Sequence, residues 1–177
     1  GSSHQAPYKH FESRDHILAE VVGRAFDGFA AFLAERATAE SPSKRLEQMG
    51  VAYVDYAEAH PLQYRLMFMT ALPKTAVDDN MTARSQKGFS MLLSALKQAA
   101  NARGAARADE DVYADAVFIL AALHGMASLT STATLATLDV PESVEAGFVG
   151  KLLSRIGSAI GKIEDVSAAP TKARRKR

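Results

Sequence analysis

The side chains that could bind a nucleic acid are concentrated at the start of the chain. They are Ser3, His4, Gln5, Tyr8, Lys9, His10 and Arg14. Side chains of these types donate hydrogen bonds to base edges and to phosphates. The residue types alone leave a second interpretation open, a frayed terminus, because the opening Gly-Ser-Ser-His is also typical of an expression-tag scar.

Patterns that would carry catalysis are absent from the sequence. The chain has no Cys, which excludes thiol catalysis, disulfides and Cys-ligated zinc. It also has no His-Glu-x-x-His, no Gly-x-Ser-x-Gly and no phosphate-binding glycine loop. The acidic clusters at 78–80 and 109–111 are interpreted as a loop and a helix start. We therefore expect no catalytic residue, no metal site and no cofactor.

The charge of the chain is unevenly distributed. The 21 Lys and Arg residues and 20 Asp and Glu residues give a formal net charge of +1. Five of the basic residues lie within 171–177, so residues 1–170 hold 16 basic and 20 acidic residues, a charge of −4. Any nucleic-acid contact must then come from a local basic patch. We expect residues 164–177 to form a disordered, solvated basic tail.

The chain is long enough for a core and too weakly apolar for a membrane span. Its 177 residues can bury a sizeable core without a metal or a disulfide. The longest apolar run, Ala116 to Leu123, is much shorter than the ~20 residues of a membrane helix, and no signal-peptide pattern opens the chain. We expect no membrane partner and a cytoplasmic location.

Apolar residues recur every three or four positions along most of the chain, which predicts an all-α fold. Ser13 is the expected N-cap of the first helix, and Pro42 and Pro61 lie where the next two helices should begin. Polar residues at 74–80 predict a loop or a frayed helix start, and Arg103-Gly104 a helix end. The predicted helices are about 14–37, 42–60, 61–70, one around Phe89 to Ala100, 109–137 and 141–163.

The last two predicted helices have surfaces that need a partner. From Ala116 to Leu123 the first of them is apolar on every side, so it must be surrounded. The second has a seam of small residues at 147, 150, 154, 157 and 161, which favours close packing within the subunit or against a second one. We expect the second subunit. The residues assigned to this dimer interface are Phe148, Leu152, Ser154, Ile156, Gly157 and Ile160.

Aromatic and methionine side chains from several helices could form a pocket. Methionine is flexible and polarizable and suits adaptable sites, although plain core packing explains the same residues. The candidate ligand-binding residues are Phe29, Tyr53, Tyr64, Met67, Phe68, Met91, Phe118 and His124.

The N-terminal segment resembles a known DNA-binding motif. Residues 7–11, Pro-Tyr-Lys-His-Phe, followed by Ser-Arg-Asp at 13–15 and Ile-Leu at 17–18, are similar to the end of the helix-turn-helix of TetR-family transcriptional regulators. The resemblance implies that residues 1–18 are a partial DNA-binding domain, holding the recognition helix and the start of a connecting helix. It places residues 3–5 at the bases and residues 8–10, with Arg14, at phosphates. Because the motif needs earlier helices, we expect about 30 to 40 residues to precede Gly1.

Two further stretches resemble the branch of this family whose C-terminal domain is named for a Trp, a His and a Gly. Residues 60–68, His-Pro-Leu-Gln-Tyr-Arg-Leu-Met-Phe, are similar to its signature, and residues 124–129 to its His-Gly segment, although this chain has no Trp. The resemblance covers residues 1–163. It implies that residues 19–163 are a helical ligand-binding and dimerisation domain, in which His124 and Tyr64 orient a small, largely apolar effector.

The function that the resemblance implies is transcription regulation by a homodimer. The dimer would repress by binding a palindromic DNA operator and would leave it when an effector binds. The alternative is a helical ligand-binding dimer, such as an adaptor or a metabolite binder, without a DNA-binding function.

Overall fold

A computed structural model describes residues 13–105, 107–132 and 134–167. Within these ranges the chain forms α-helices and one short 3-10 helix at Lys74–Ala76, with no strand, and the predicted all-α fold is confirmed. The helices are α1 (Arg14–Arg36), α2 (Pro42–Ala59), α3 (Pro61–Met69), α4 (Asp79–Ala102), α5 (Asp109–Ser131), α6 (Thr134–Thr137), α7 (Glu142–Glu145) and α8 (Phe148–Ser167).

Capping residues define where the first four helices begin. The Ser13 side chain accepts a hydrogen bond from the His16 amide at 3.3 Å, and Asp78 accepts one from the Met81 amide at 2.7 Å. Each satisfies an amide that has no partner within its helix. Pro42 and Pro61 occupy first-turn positions, where the missing N–H costs nothing. The starts at Arg14, Pro42 and Pro61 agree with the sequence pattern, whereas α4 begins at Asp79, ten residues before the predicted Phe89.

The C-terminal third differs from the prediction in two places. The helix expected over 109–137 ends at Ser131, and Thr134–Thr137 forms a separate turn. The helix expected over 141–163 is divided into α7 and α8, because Gly147 adopts a φ of +99°, which ends a right-handed helix. Hydrophobic periodicity continues across this break, so the sequence pattern did not reveal it.

The core lies between α1, α2, α4 and α5, with α3 packed on α1 and α8 packed on α2 and α5. Helix α5 is the one described helix that is long and apolar enough to cross a membrane. A core helix of a soluble protein passes the same test, and one side of α5 is built into this core through Ala116, Ile119, Leu123, Met126 and Ala127. The other side exposes Tyr113, Val117 and Phe118.

Ion pairs hold the N-terminal half of α1 against α4. The Arg84 guanidinium donates to Glu20 at 2.6 Å and to Asp27 at 2.7 Å, and Lys87 also pairs with Asp27. A Cβ at Gly23 would come within 2.6 Å of the guanidinium. Because glycine has no Cβ, the Arg84 side chain can lie against α1 at this position. Hydrogen bonds from Lys87 and Arg84 hold the pKa of Asp27 below its ordinary value.

A second ion pair, between Arg107 and Asp115, is buried beside the start of α5. Removing one member of a buried pair leaves an uncompensated charge. We expect Asp115→Ala to lower the free energy of unfolding by about 3–5 kcal/mol, measured by urea denaturation. The double variant Arg107→Met with Asp115→Leu should recover most of this loss. A single variant as stable as the wild type would contradict the structural role of the pair.

Candidate functional site

A cavity of about 420 Å³ lies between α1, α2, α4, α5 and α8, with one side chain from α3. Its volume falls within the roughly 300–1,000 Å³ of sites for small organic molecules. The residues that line it are Phe26, Phe29, Leu33, Ser43, Leu46, Glu47, Met49, Gly50, Tyr53, Phe68, Ser85, Gly88, Phe89, Leu92, Ile119, Leu120, Leu123, Gly150, Leu153, Ser154, Ile156, Gly157 and Ile160.

An aromatic cluster forms part of the cavity wall. The ring of Phe29 meets those of Tyr53 and Phe68 edge to face, with centroids 5.3 and 6.2 Å apart. Phe26 contacts Phe68 in the same way at 5.8 Å. Edge-to-face contacts place the positive ring edge against a negative ring face. They hold α1, α2 and α3 together at the cavity, so the position of this wall depends on all three helices.

A buried polar group supports the aromatic wall from behind. Nδ1 of His124 lies 2.5 Å from the Tyr53 hydroxyl and 3.0 Å from the Tyr64 hydroxyl, and the ring of His124 meets Phe68 edge to face at 4.5 Å. Burial lowers the pKa of His124 and raises the pKa of both tyrosines. All three groups are therefore neutral near pH 7, and their hydrogen bonds satisfy polar atoms that would otherwise be buried without partners.

The cavity has few polar side chains, and they are hydroxyls and one carboxylate. Ser43, Ser85 and Ser154 line it together with Glu47. The Glu47 carboxylate accepts a hydrogen bond from Lys44 at 3.0 Å and is largely exposed. No Lys, Arg or His is among the described residues that line the cavity. An anion inside it would lose its hydration without gaining a cationic partner.

Helix α8 completes the wall with apolar side chains and with three small residues. Gly150, Ser154 and Gly157 border the cavity at exposed positions, and a Cβ built at either glycine meets no atom within 4 Å. At Gly50 and Gly88, by contrast, an added Cβ would lie 2.6 Å from Leu153 and 2.9 Å from Phe29. The glycines of α2 and α4 thus allow side chains of neighbouring helices to approach closely, whereas those of α8 border open space.

The described residues contain no cluster of three or more His, Asp or Glu side chains that could hold a metal ion. What the cavity offers is shape, apolar surface and a few hydrogen-bonding groups.

Most of the helices around the cavity belong to a segment that matches a known protein family. Residues 46–149, which span α2 to the start of α8, match the family described as the tetracyclin repressor-like, C-terminal domain. The chain belongs to this family. The matched range includes every element of the cavity except α1 and most of α8.

A solved structure has the same fold as this tetracyclin repressor-like protein. It is that of a protein of unknown function from Rhodococcus sp. RHA1, 24% identical, with a TM-score of 0.68 over 90% of this chain and 77% of that one. At this identity the likeness concerns the fold. No curated protein matches the chain.

The sequence-predicted ligand residues fall into three groups in this tetracyclin repressor-like fold. Phe29, Tyr53 and Phe68 line the cavity. Tyr64, Met67, Met91 and His124 do not line it; the first two are buried, and Met91 and His124 are half-buried. Phe118 does not line the cavity, and its side chain is 46% exposed on the outer side of α5, so its ligand role stays a prediction that this cavity does not support. The next residue, Ile119, lies about 100° further round the helix and is buried in the core.

The residues predicted for a dimer interface also lie in different places. Ser154, Ile156, Gly157 and Ile160 line the cavity, and Phe148 and Leu152 pack against the core. Ile160 is 5% exposed and packs within its own chain. The role of these six residues in a dimer stays a prediction.

Of the predicted DNA-binding residues, Arg14 alone falls within the described ranges, and it is exposed on the first turn of α1. Residues 3–5 and 8–10 lie outside the described residues, as does the part of the basic tail from 168 onward.

Several cavity residues were missed by the sequence reasoning. Phe26 and Phe89 belong to helices whose apolar stripes were recognised, but periodicity does not separate residues that fill a core from residues that border a cavity. The unusual number of glycines in the last helix was the one available signal, and it was attributed to helix packing. The structure places Gly150 and Gly157 at exposed positions that also border the cavity, and the packing role of these glycines stays a prediction.

The lowered pKa of His124 predicts a loss of stability in acid. The unfolded state binds a proton near pH 6.5, where the folded state does not, so the free energy of unfolding should fall as the pH drops below about 6.5. Urea midpoints of the wild type at several values between about pH 5 and 8 should show this fall, and His124→Gln should show less of it. Tyr64→Phe is the control, since it removes a hydroxyl and keeps the histidine. Parallel curves for the wild type and His124→Gln would contradict the assignment.

Proposed function

We propose that this protein is a TetR-type transcription regulator that acts in the cytoplasm and has no enzymatic activity. A homodimer binds a palindromic DNA operator, and a small, largely apolar effector in the cavity releases it. Membership of the tetracyclin repressor-like family supports this class of function.

The observation that carries the proposal is the position of α1. Phe26, Phe29 and Leu33 of this helix line the cavity, and its first residue, Arg14, directly follows the segment that resembles a recognition helix. A ligand against α1 contacts the same rigid element that leads to the DNA-binding segment. Release requires that the effector bind more tightly to the DNA-incompetent state, with a coupling free energy of typically 1–3 kcal/mol.

We also propose that the chain belongs to the branch with the Trp-His-Gly type of ligand-binding domain, extending over residues 19–163. The two stretches that resemble this branch are far apart in sequence but meet in the fold, because Tyr64 and Phe68 both contact His124. The proposed boundary after residue 18 lies inside α1, so no flexible linker separates the two functions.

The proposed dimer uses the outward surfaces of the last two long helices, α5 and α8, in an isologous four-helix bundle. Val117 is 56% exposed and Phe118 46% exposed on α5, beside the small residue Ala121. Large apolar side chains exposed on one helix face are typical of an interface. Such a dimer would place two recognition helices in successive major grooves, about 34 Å apart.

The DNA-binding proposal is tested by fluorescence anisotropy on the product of the complete gene, with DNA from its own upstream region, at two salt concentrations. We expect tight, salt-sensitive and sequence-dependent binding. Lys9→Ala should weaken binding to all sequences and flatten the salt dependence, whereas Gln5→Ala should change base preference. Weak binding that is equal for random DNA would favour a ligand-binding dimer without a DNA-binding function, and identical effects of both variants would contradict the residue roles.

The dimer proposal is tested with Val117→Asp, which places a charge on the outward face of α5. We expect this variant to shift the protein towards monomer in size-exclusion chromatography with light scattering, because a buried unpaired charge is costly. Val21→Asp, at a 43% exposed valine of α1, is the matched control and should stay dimeric. If the Val117→Asp protein stayed dimeric, the interface would not include this face of α5, and the dimer proposal would be contradicted.

A further inference from the structure

Arg84 of α4 is bonded to two successive turns of α1. Its Nε donates a hydrogen bond to the Asp27 carboxylate at 2.7 Å, and its Nη1 donates one to the Glu20 carboxylate at 2.6 Å. The two acidic residues are seven positions apart, which is about 10 Å along the helix axis. One side chain of α4 therefore holds α1 at two separate points. We call these three residues the Arg84 bridge.

The Arg84 bridge is shielded from water. Ion pairs on a protein surface are weak, because water competes for both charges. The Arg84 side chain is 12% exposed, and hydrogen bonds from Arg24 and Arg84 hold the pKa of Glu20 below its ordinary value. The pKa of Asp27 is lowered as well, so both carboxylates are ionised near pH 7. The bonds of the bridge are thus charge-assisted and largely sheltered, which favours one fixed geometry.

Gly23 gives the guanidinium its place on α1. This residue lies between the two carboxylates in the sequence and is buried. A Cβ there would lie 2.6 Å from Cζ of Arg84. At the exposed Gly28 of the same helix, an added Cβ would meet only the Tyr56 hydroxyl, at 3.9 Å. Glycine is less stable than alanine inside a helix, and at position 23 it leaves the room that the bridge requires.

The Arg84 bridge adjoins the cavity on both helices. Ser85 follows Arg84 in the chain and Phe26 precedes Asp27, and both Ser85 and Phe26 line the cavity. The other α1 residues that line the cavity come later in the helix. The bridge therefore joins α1 to α4 at the end of the cavity that is nearer to the start of α1.

From this arrangement we infer that Arg84 is a positioning residue, which sets the orientation of α1, and of the N-terminal segment before it, relative to the rest of the protein. The inference rests on the proposed function and names the side chain on which operator affinity depends. Recognition helices that are held in one orientation lose less freedom when they bind DNA, so a less constrained α1 binds an operator more weakly. Arginine suits this role because its planar guanidinium reaches both carboxylates, whereas lysine offers a single ammonium group.

Pulsed electron paramagnetic resonance measures the orientation of α1 directly. The chain has no Cys, so spin labels attach only to two introduced cysteines, Asp15→Cys on the first turn of α1 and Ser90→Cys on the exposed side of α4. Labelled protein is mixed with an excess of unlabelled protein, so that a dimer holds at most one labelled chain. We expect one narrow distance distribution when Arg84 is present. We expect Arg84→Met to widen or displace this distribution.

A matched variant separates positioning from a general loss of stability. Lys97→Met also removes an ion pair of α4, the one with Asp109 at the start of α5. We expect it to leave the distance distribution unchanged, with urea midpoints of both variants recorded for comparison. Equal distance distributions in Arg84→Met and the wild type would overturn the inference, and so would an equal change in Arg84→Met and Lys97→Met.

Alanine variants test the bridge without removing a charge. Gly23→Ala should displace the guanidinium and change the distances as Arg84→Met does, whereas Gly28→Ala adds the same methyl group on the exposed side of α1 and should change nothing. In the Arg84→Met background, Gly23→Ala should have no further effect on the distances, because no guanidinium is left to displace. These variants also decide the matter if Arg84→Met does not fold. Unchanged distances in Gly23→Ala would overturn the inference.

Operator affinity connects the Arg84 bridge with the proposed function. By fluorescence anisotropy, Arg84→Met and Gly23→Ala should weaken binding to the upstream DNA by about tenfold, whereas Lys97→Met and Gly28→Ala should bind like the wild type. If the wild type and both bridge variants bind the operator equally, the inference is overturned and the regulator proposal stands. If the wild type does not recognise its operator, the regulator proposal fails, and the distance measurements alone decide whether Arg84 sets the orientation of α1.

Discussion

The edge-to-face contacts among Phe29, Tyr53 and Phe68 are the constraint on which the site depends. They join α1, α2 and α3, and the hydrogen bond between Tyr53 and His124 connects the same cluster to α5. Because ring edges prefer ring faces, the rings of the cluster pack at steep angles to one another. In this arrangement they do not fill the neighbouring space. The cavity lies beside this cluster, and α8 borders it with the side chains of Leu153, Ile156 and Ile160 as well as with small residues.

Polar interactions in this protein form small groups within and around the apolar core. The Tyr53, Tyr64 and His124 group lies behind the cavity wall, the Arg107 and Asp115 pair lies at the start of α5, and Arg84 joins α1 to α4. Each buried polar atom that finds a partner in such a group has its desolvation cost offset by the new hydrogen bond or ion pair. The cavity itself is left largely apolar, which suits a ligand whose binding is driven by the removal of apolar surface from water.

Much of the fold could be predicted from the sequence because helix ends carry local chemical signals. A capping residue, a first-turn proline or a terminal glycine affects only the helix end beside it. The structure places helix boundaries beside all four such residues, Ser13, Pro42, Pro61 and Gly104. The break at Gly147 was not predicted, since a single glycine within a periodic pattern does not reveal its φ. The site was predicted in part. Phe29, Tyr53 and Phe68, which were predicted as ligand residues, line the cavity. The outward position of Phe118 was not predicted, because it depends on how the whole helix is rotated, which hydrophobic periodicity does not specify.

The ion pairs that Arg84 forms with α1 have a mechanical consequence. Helix α1 is a rod, and its first residue, Arg14, lies 13 positions before Asp27, a distance of about 20 Å at 1.5 Å per residue. Phe26 and Phe29, on either side of Asp27 in the sequence, line the cavity, so a molecule bound there would press on α1 next to the point at which α4 holds it. A tilt of about 5° at that point moves the far end by about 2 Å over this arm length. A small tilt of α1 at the cavity thus becomes a larger displacement at its N-terminal end. The stiffness of the helix determines how much of the tilt is transmitted to that end.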